Sequence, residues 1–205
     1  MLTFNVKIEY LYAYYDNANL THNKIIYTHI NSMTSHENDI STVEIIASVY
    51  NKRDTFGDFN YMIQHDIQNN IDDTLYIFND NEESFLSRSC KQGKGNAVIR
   101  KYNIFAMKLK TIKKPYSHGI PTGNFTNRGY NELGDHEIYI IDLCINNIKK
   151  IIKKYNIKKI YYSASGPNKG DILIGQSLFK VNTKVRQYIT QQIHSLTNDE
   201  VTYNH

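Results

Sequence analysis

A chain of 205 residues with 40% hydrophobic and 21% charged side chains has the material for one core of ordinary size, which excludes wholesale disorder. Its 24 Lys and Arg against 20 Asp and Glu leave a net charge of +4, which favours anionic ligands only slightly. No stretch approaches the ~18 apolar residues needed to cross a bilayer, and Lys7 and Glu9 interrupt the apolar opening run, so neither a membrane span nor a secretory leader is expected. Cys90 and Cys144 lie far apart and read as free thiols of a reducing, cytoplasmic setting. Without a Cys-x-x-Cys or His-x-x-x-His pair there is no structural zinc motif, and no cofactor is called for.

Residues 4–15 alternate as a strand, with Phe4, Val6, Ile8 and Tyr10 on one face. After the turn residues 16–23, Lys24–Ile30 reads as a returning strand, so that the two form a hairpin. Tyr12, Tyr14 and Tyr15 are assigned to packing and not to ligand stacking. Ser32–Ile40 is a polar loop. Val43, Ile46, Ala47 and Tyr50 fall at helical spacing, which predicts a helix over 42–50 capped by Ser41. Phe59, Ile63 and Ile67 predict a second helix within 56–67. His22, His29, His36 and His65 show no metal-binding spacing and read as surface or hydrogen-bonded histidines.

The strongest strand signal is Ile71–Asp80, where Leu75, Tyr76, Ile77 and Phe78 form the short unbroken apolar run of an interior parallel strand. It delivers Asn79, Asp80 and Asn81 to its carboxyl end. Glu82–Ser89 is read as a loop. Gly93 and Gly95 then bracket a turn that opens a helix over Asn96–Arg100, where bare amides and the helix dipole favour an anion. Phe105–Pro115, with four lysines, reads as an exposed link. Gly119–Gly123 reads as an edge strand ending in a sharp turn at a binding rim.

Asp135–Tyr155 is the clearest helix. Ile138, Ile141, Ile145, Ile148, Ile152 and Tyr155 follow at spacings of 3, 4, 3, 4 and 3. Asp135 complements its positive end, Lys149, Lys150, Lys153 and Lys154 its negative end, and Asn156 can terminate it. A strand over Lys158–Ala164 follows, then loops marked by glycines at 166, 170 and 175, and a last helix capped near Asn182. From residue 71 the alternation of strands and helices argues α/β with a mainly parallel or mixed sheet, whose ligand lies at the carboxyl ends of the strands. Residues 197–205 read as a flexible tail.

The segments Ile77–Asn81, Gly93–Arg100, Gly119–Gly123 and Ile174–Phe179 resemble a group of small viral and bacterial proteins, and through them the macrodomains, ADP-ribose-binding α/β modules. The branch that removes ADP-ribose from DNA has the same order of motifs. The resemblance covers about 71–196 and implies a three-layer α/β/α mixed sheet, with residues 1–70 either an extra lobe of hairpin and helices or the first part of that sheet. It implies that Asn79 and Asn81 lie near the distal ribose, with Gly93, Gly95, Asn96 and Thr122 in the same pocket. Gly175, Gln176, Ser177 and Leu178 would wrap the diphosphate with backbone amides, and Phe179 would flank the ribose.

The hydrolytic branch carries a lysine after its Pro-Thr, where this chain has Gly123, and an acid in its late loop, where residues 176–179 hold none. The expected function is therefore capture of ADP-ribose or a related nucleotide, in a virus–host setting the sequestering of a signal in the host cytoplasm. Nucleic acid enters only as an ADP-ribosylated substrate. An active hydrolase using Asp80 or His118 as acid/base is the alternative from enzyme chemistry. A virion or interaction protein that keeps the fold without the pocket is the third reading.

Overall fold

A computed structural model of the chain describes residues 25–27, 42–49, 58–109, 112–124, 128–165, 172–175 and 180–197. Five strands, β1 (Ile25–Tyr27), β2 (Glu44–Val49), β3 (Thr74–Asp80), β4 (Ser117–Pro121) and β5 (Lys159–Ala164), form one sheet in the order β1-β2-β5-β3-β4. β2, β5, β3 and β4 run parallel, and β1 pairs antiparallel with β2. The helices are α1 (Phe59–Gln68), α2 (Glu82–Leu86), α3 (Ile104–Lys108), α4 (Asp135–Tyr155) and α5 (Thr183–Ser195), with a 3₁₀ segment at Gly95–Tyr102. The protein is thus a mixed α/β fold, and no described helix is long and apolar enough to cross a membrane.

The unbroken apolar run of β3 exists because both of its faces are covered. Leu75 and Ile77 join a core with Ile160 and Tyr162 of β5, the buried stripe of α4, and Val185, Ile189 and Ile193 of α5. Tyr76 and Phe78 point the other way, into a second core with Phe59 and Ile63 of α1, Ile99 and Tyr116. There Tyr76 stacks on Tyr161 and its hydroxyl donates to buried Asp66 at 2.7 Å.

Crossovers between parallel strands share one hand, so those stepping the same way along a sheet lie on one face and a reversed step lies on the other. β2 to β3 and β3 to β4 step one way, through α1 and the 3₁₀ segment; β4 to β5 steps back, through α4. Chain direction therefore reverses around β3. The connections leaving β3 and its neighbour β5 pass to opposite faces, the topological position at which α/β sheets bind ligands beyond the strand ends.

Three expected elements differ. Residues 44–49 form an interior strand and not a helix: Ile45, Ile46 and Ala47 are all buried, and a β-branched run covered on both faces satisfies either period. Its neighbours are β5 and β1, so Ile25–Tyr27 does form a strand, but its partner among the described residues is β2; residues 4–15, the expected partner, lie outside them. Glu82–Leu86 is a short helix and not a loop, because Asn81 caps it by accepting from the Ser84 N–H at 2.7 Å and Phe85 turns into the core. The lysine-rich link contains α3, capped by Asn103, and buries Lys114 against the Tyr116 ring at 4.4 Å.

Other expectations match closely. α4 spans the expected residues, and Asn156 ends it in the left-handed conformation at φ 52°. Asn182 caps α5, β4 lies at an edge of the described sheet, and both cysteines are free; the cap of α1, for which no residue was singled out, is Asp58. His65 is largely exposed, while His22, His29 and His36 fall outside the described residues. Ile148 is fully buried and Tyr139, on the same helix, is 64% exposed. Ile148→Ala is expected to cost about 2–5 kcal/mol in urea unfolding, and Tyr139→Ala less than about 0.5 kcal/mol.

Candidate functional site

β3 ends in Asn79, Asp80 and Asn81, and each turns to a different partner. Asn79 shares the face of Leu75 and Ile77; its Nδ2 donates to the Gly175 carbonyl. Its Oδ1 is buried and accepts from no described group. Asp80 shares the face of Tyr76 and Phe78 and meets Arg100 from the 3₁₀ segment: Nε donates to Oδ2 at 3.1 Å and Nη2 to Oδ1. Asn81 uses its side-chain oxygen as the cap of α2.

The two glycine segments meet on β5. Asn96, next to Gly95, donates from Nδ2 to the Ser163 hydroxyl, and the Ser163 carbonyl accepts from the Gly175 N–H at 2.8 Å. α5 holds this corner from behind. Thr190 Oγ1 accepts from Ile174 N–H at 2.9 Å, Arg186 Nε donates to the Ile174 carbonyl at 2.8 Å, and Arg186 Nη2 donates to the Ser165 carbonyl. Gly95 must be glycine or strained, since its φ is 57°. Gly93 closes the same turn by donating to the Ala97 carbonyl at 2.9 Å. Gln176, Ser177, Leu178 and Phe179 lie outside the described residues, but both ends of that segment are placed: Gly175 sits beside Asn79, and the Lys180 carbonyl sits against Gly129.

A second polar cluster borders the ends of β3 and β4. Thr122 is buried and donates its N–H to the Asp80 carbonyl at 3.0 Å, while the Gly123 carbonyl accepts from the Glu82 N–H at 2.9 Å. A Cβ on Gly123 would collide with the Arg128 carbonyl, so this position has no room for a side chain. Tyr130 donates its N–H to the Thr122 carbonyl and accepts from Asn182 N–H at 2.8 Å, which ties this cluster to the start of α5. Glu82, buried, accepts from the Tyr130 hydroxyl at 2.8 Å and lies 2.9 Å from His136 Nε2. Glu82, Tyr130, His136, Ser163 and Arg186 were not selected from sequence. Their only signal was adjacency to the motifs, at the strand ends and first helical turns.

Asp80 and His118 lie behind the rim. Burial pushes the Asp80 carboxyl up, opposed by Arg100 and by the Asn81 N–H, which donates at 2.8 Å. Gly119 leaves room for that carboxyl: a Cβ there would collide with it. Complete burial holds the His118 imidazole down at about 4, against the opposing pull of the Gly119 carbonyl 2.9 Å from Nδ1. Cys144 donates to the same carbonyl at 3.2 Å, and burial pushes its thiol up. A recess of about 10 Å³, room for one water, lies between Asp80, Ser84, Asn103 and His118. A side chain so enclosed serves the frame better than proton exchange with a ligand.

Among the described residues no group of three or more His, Cys, Asp or Glu side chains is placed to hold a metal. The chain matches no protein-family model, no curated protein and no solved structure.

Arg100→Met strands a buried carboxylate and is expected to cost about 3–5 kcal/mol in urea unfolding, much of it recovered by adding Asp80→Leu. Between pH 6.5 and 4 the unfolded chain binds a proton at residue 118 that the folded chain does not, so His118 lowers stability as pH falls, by about 3 kcal/mol at most. His118→Asn is expected to remove that share of the pH dependence, and the His118 ring resonances of the native protein should not titrate above about pH 5.

Proposed function

We propose that this is a macrodomain-like, three-layer α/β/α protein that captures ADP-ribose or a closely related nucleotide at the carboxyl ends of β3 and β5. One observation carries the reading: the Gly95 turn and the Gly175 segment, 80 positions apart in the chain, converge on Ser163 beside the unsatisfied Oδ1 of Asn79. A buried amide oxygen without a donor costs about 1–3 kcal/mol, and a ribose hydroxyl or an amino group of the ligand supplies the donor. Helices packed on both faces of the sheet support the layered arrangement. Capture and not turnover is favoured by Gly123, whose place is closed to a nucleophilic side chain, and by the enclosure of Asp80 and His118. In a viral setting such a protein would sequester a nucleotide signal of its host.

Calorimetric titration with ADP-ribose tests the reading, and saturable one-to-one binding is expected. A Cβ at Gly175 would lie 3.2 Å from Ser165 Oγ and 3.4 Å from Asn79 Oδ1, so Gly175→Ala should fold with slight adjustment. Gly175→Phe projects a ring into the corner and is expected to weaken binding at least ~100-fold, about 2.7 kcal/mol. Equal affinity of the Gly175→Phe variant would count against this location.

A further inference from the structure

One face of α4 belongs to neither core. Ile141, Ile145 and Ile148 fill the interior from one side of the helix, and the Tyr188 hydroxyl of α5 donates to Asp142 on its flank at 2.6 Å. On the opposite side His136, Tyr139, Leu143, Asn146, Lys150 and Lys153 follow at spacings of 3, 4, 3, 4 and 3. This second stripe faces outward: Tyr139 is 64% exposed and Leu143 36%, and Asn146, Lys150 and Lys153 are exposed as well. A tyrosine and a leucine one turn apart on a rigid helix of 21 residues form the apolar middle of a helix–helix seam.

Charge decides what can lie on that seam. Asp135 is exposed at its start, with Glu132 just before the helix, and Lys150, Lys153 and Lys154 are exposed at its end. A second copy of α4 laid parallel would set these lysines against one another. Laid antiparallel, it sets the acidic start of each helix against the basic end of the other and opposes the two helix dipoles. Such a face is complementary to itself, which is what a twofold contact requires. With the axis between Leu143 and Asn146, the two Leu143 side chains meet, and each Tyr139 ring lies against the other copy's Lys150.

We propose that α4 is the contact face of a homodimer, in which two copies of this chain pair antiparallel about a twofold axis at Leu143 and Asn146. The pairing is independent of the nucleotide reading. A single pair of helices buries less than ~1,000 Å², so the dimer is weak, with a Kd of roughly 10–100 μM. Asn146 beside the axis sets the register at a cost in affinity. α4 returns from the carboxyl end of β4 to the start of β5, against the direction of the parallel strands. The two Asn79–Gly175 corners therefore stand at opposite ends of the pair.

Sedimentation equilibrium of the full chain from about 5 to about 500 μM tests this, and a passage from monomer to dimer within that range is expected. Association should weaken as salt rises, because the end contacts are exposed ion pairs. Leu143→Asp sets two carboxylates at the axis and should weaken association at least ~10-fold, while thermal unfolding of the dilute monomer stays nearly unchanged. Lys153→Glu with Lys154→Glu should weaken it too, and adding Glu132→Lys and Asp135→Lys should restore it, since an antiparallel seam then merely exchanges its signs. At the dilution of an unfolding experiment the monomer prevails, so the small cost expected of Tyr139→Ala is unaffected. A native chain that stays monomeric throughout overturns the proposal and leaves the stripe to a different protein. A dimer that Leu143→Asp leaves intact places the contact elsewhere and overturns it as well. A folded four-site variant that stays dissociated overturns the antiparallel order.

Discussion

Three consecutive polar residues at the carboxyl end of a fully buried strand set the terms for the rest of this structure. Desolvating Asn79, Asp80 and the flank of Asn81 at the tip of an apolar run is unfavourable unless each finds a partner. The chain brings three different elements to supply them: the segment before α5, the 3₁₀ segment and the first turn of α2. Those partners draw the connections of both faces together over one end of the sheet. One polar atom, Oδ1 of Asn79, is left at their meeting point without a hydrogen-bond partner among the described residues.

The same arrangement explains which functional roles fall to which residues. Asp80 and His118 attract attention in a sequence because they are titratable and stand at the expected rim, His118 next to Gly119. In the fold Gly119 lets the Asp80 carboxyl sink inward, since a Cβ there would collide with it. Interior position favours the neutral imidazole, and the guanidinium of Arg100 neutralises the acid. By contrast, the Glu82–His136 pair keeps one partner at the surface, with His136 61% exposed and Glu82 6%.

Much of the scaffold could be read from the chain, because several elements carry one dominant signal. The isoleucine stripe of α4, its acidic start and Asn156 mark both ends of that helix, and Leu75–Phe78 marks an interior strand. Residues 44–49 were misread because isoleucine and alanine buried on both faces leave no period to tell strand from helix. α2 was missed because Asn81, Glu82 and Glu83 look like loop residues until the capping contact is known. The convergence of Gly95 and Gly175 was expected from alternation alone, since loops at the carboxyl ends of parallel strands share one side of the sheet. Long-range side-chain pairings such as Asp80–Arg100 and Glu82–His136, 20 and 54 residues apart, leave no trace in local pattern.

The position of β5 bears on how the protein comes into being. As the nascent chain leaves the ribosome, β3 can pair with β4 and β2 with β1, but these are two separate ribbons with no hydrogen bond between them. Among the described strands, the one that joins them is the last to be synthesised, so the central seam of the sheet waits for residue 164. Such late, long-range closure makes for slow assembly and exposes the inner edges of both ribbons to other chains in the meantime. The corner built on Ser163 and Gly175 is among the last of the described features to form, so a product terminated before β5 would carry Asn79 and Asn96 without the groups they meet.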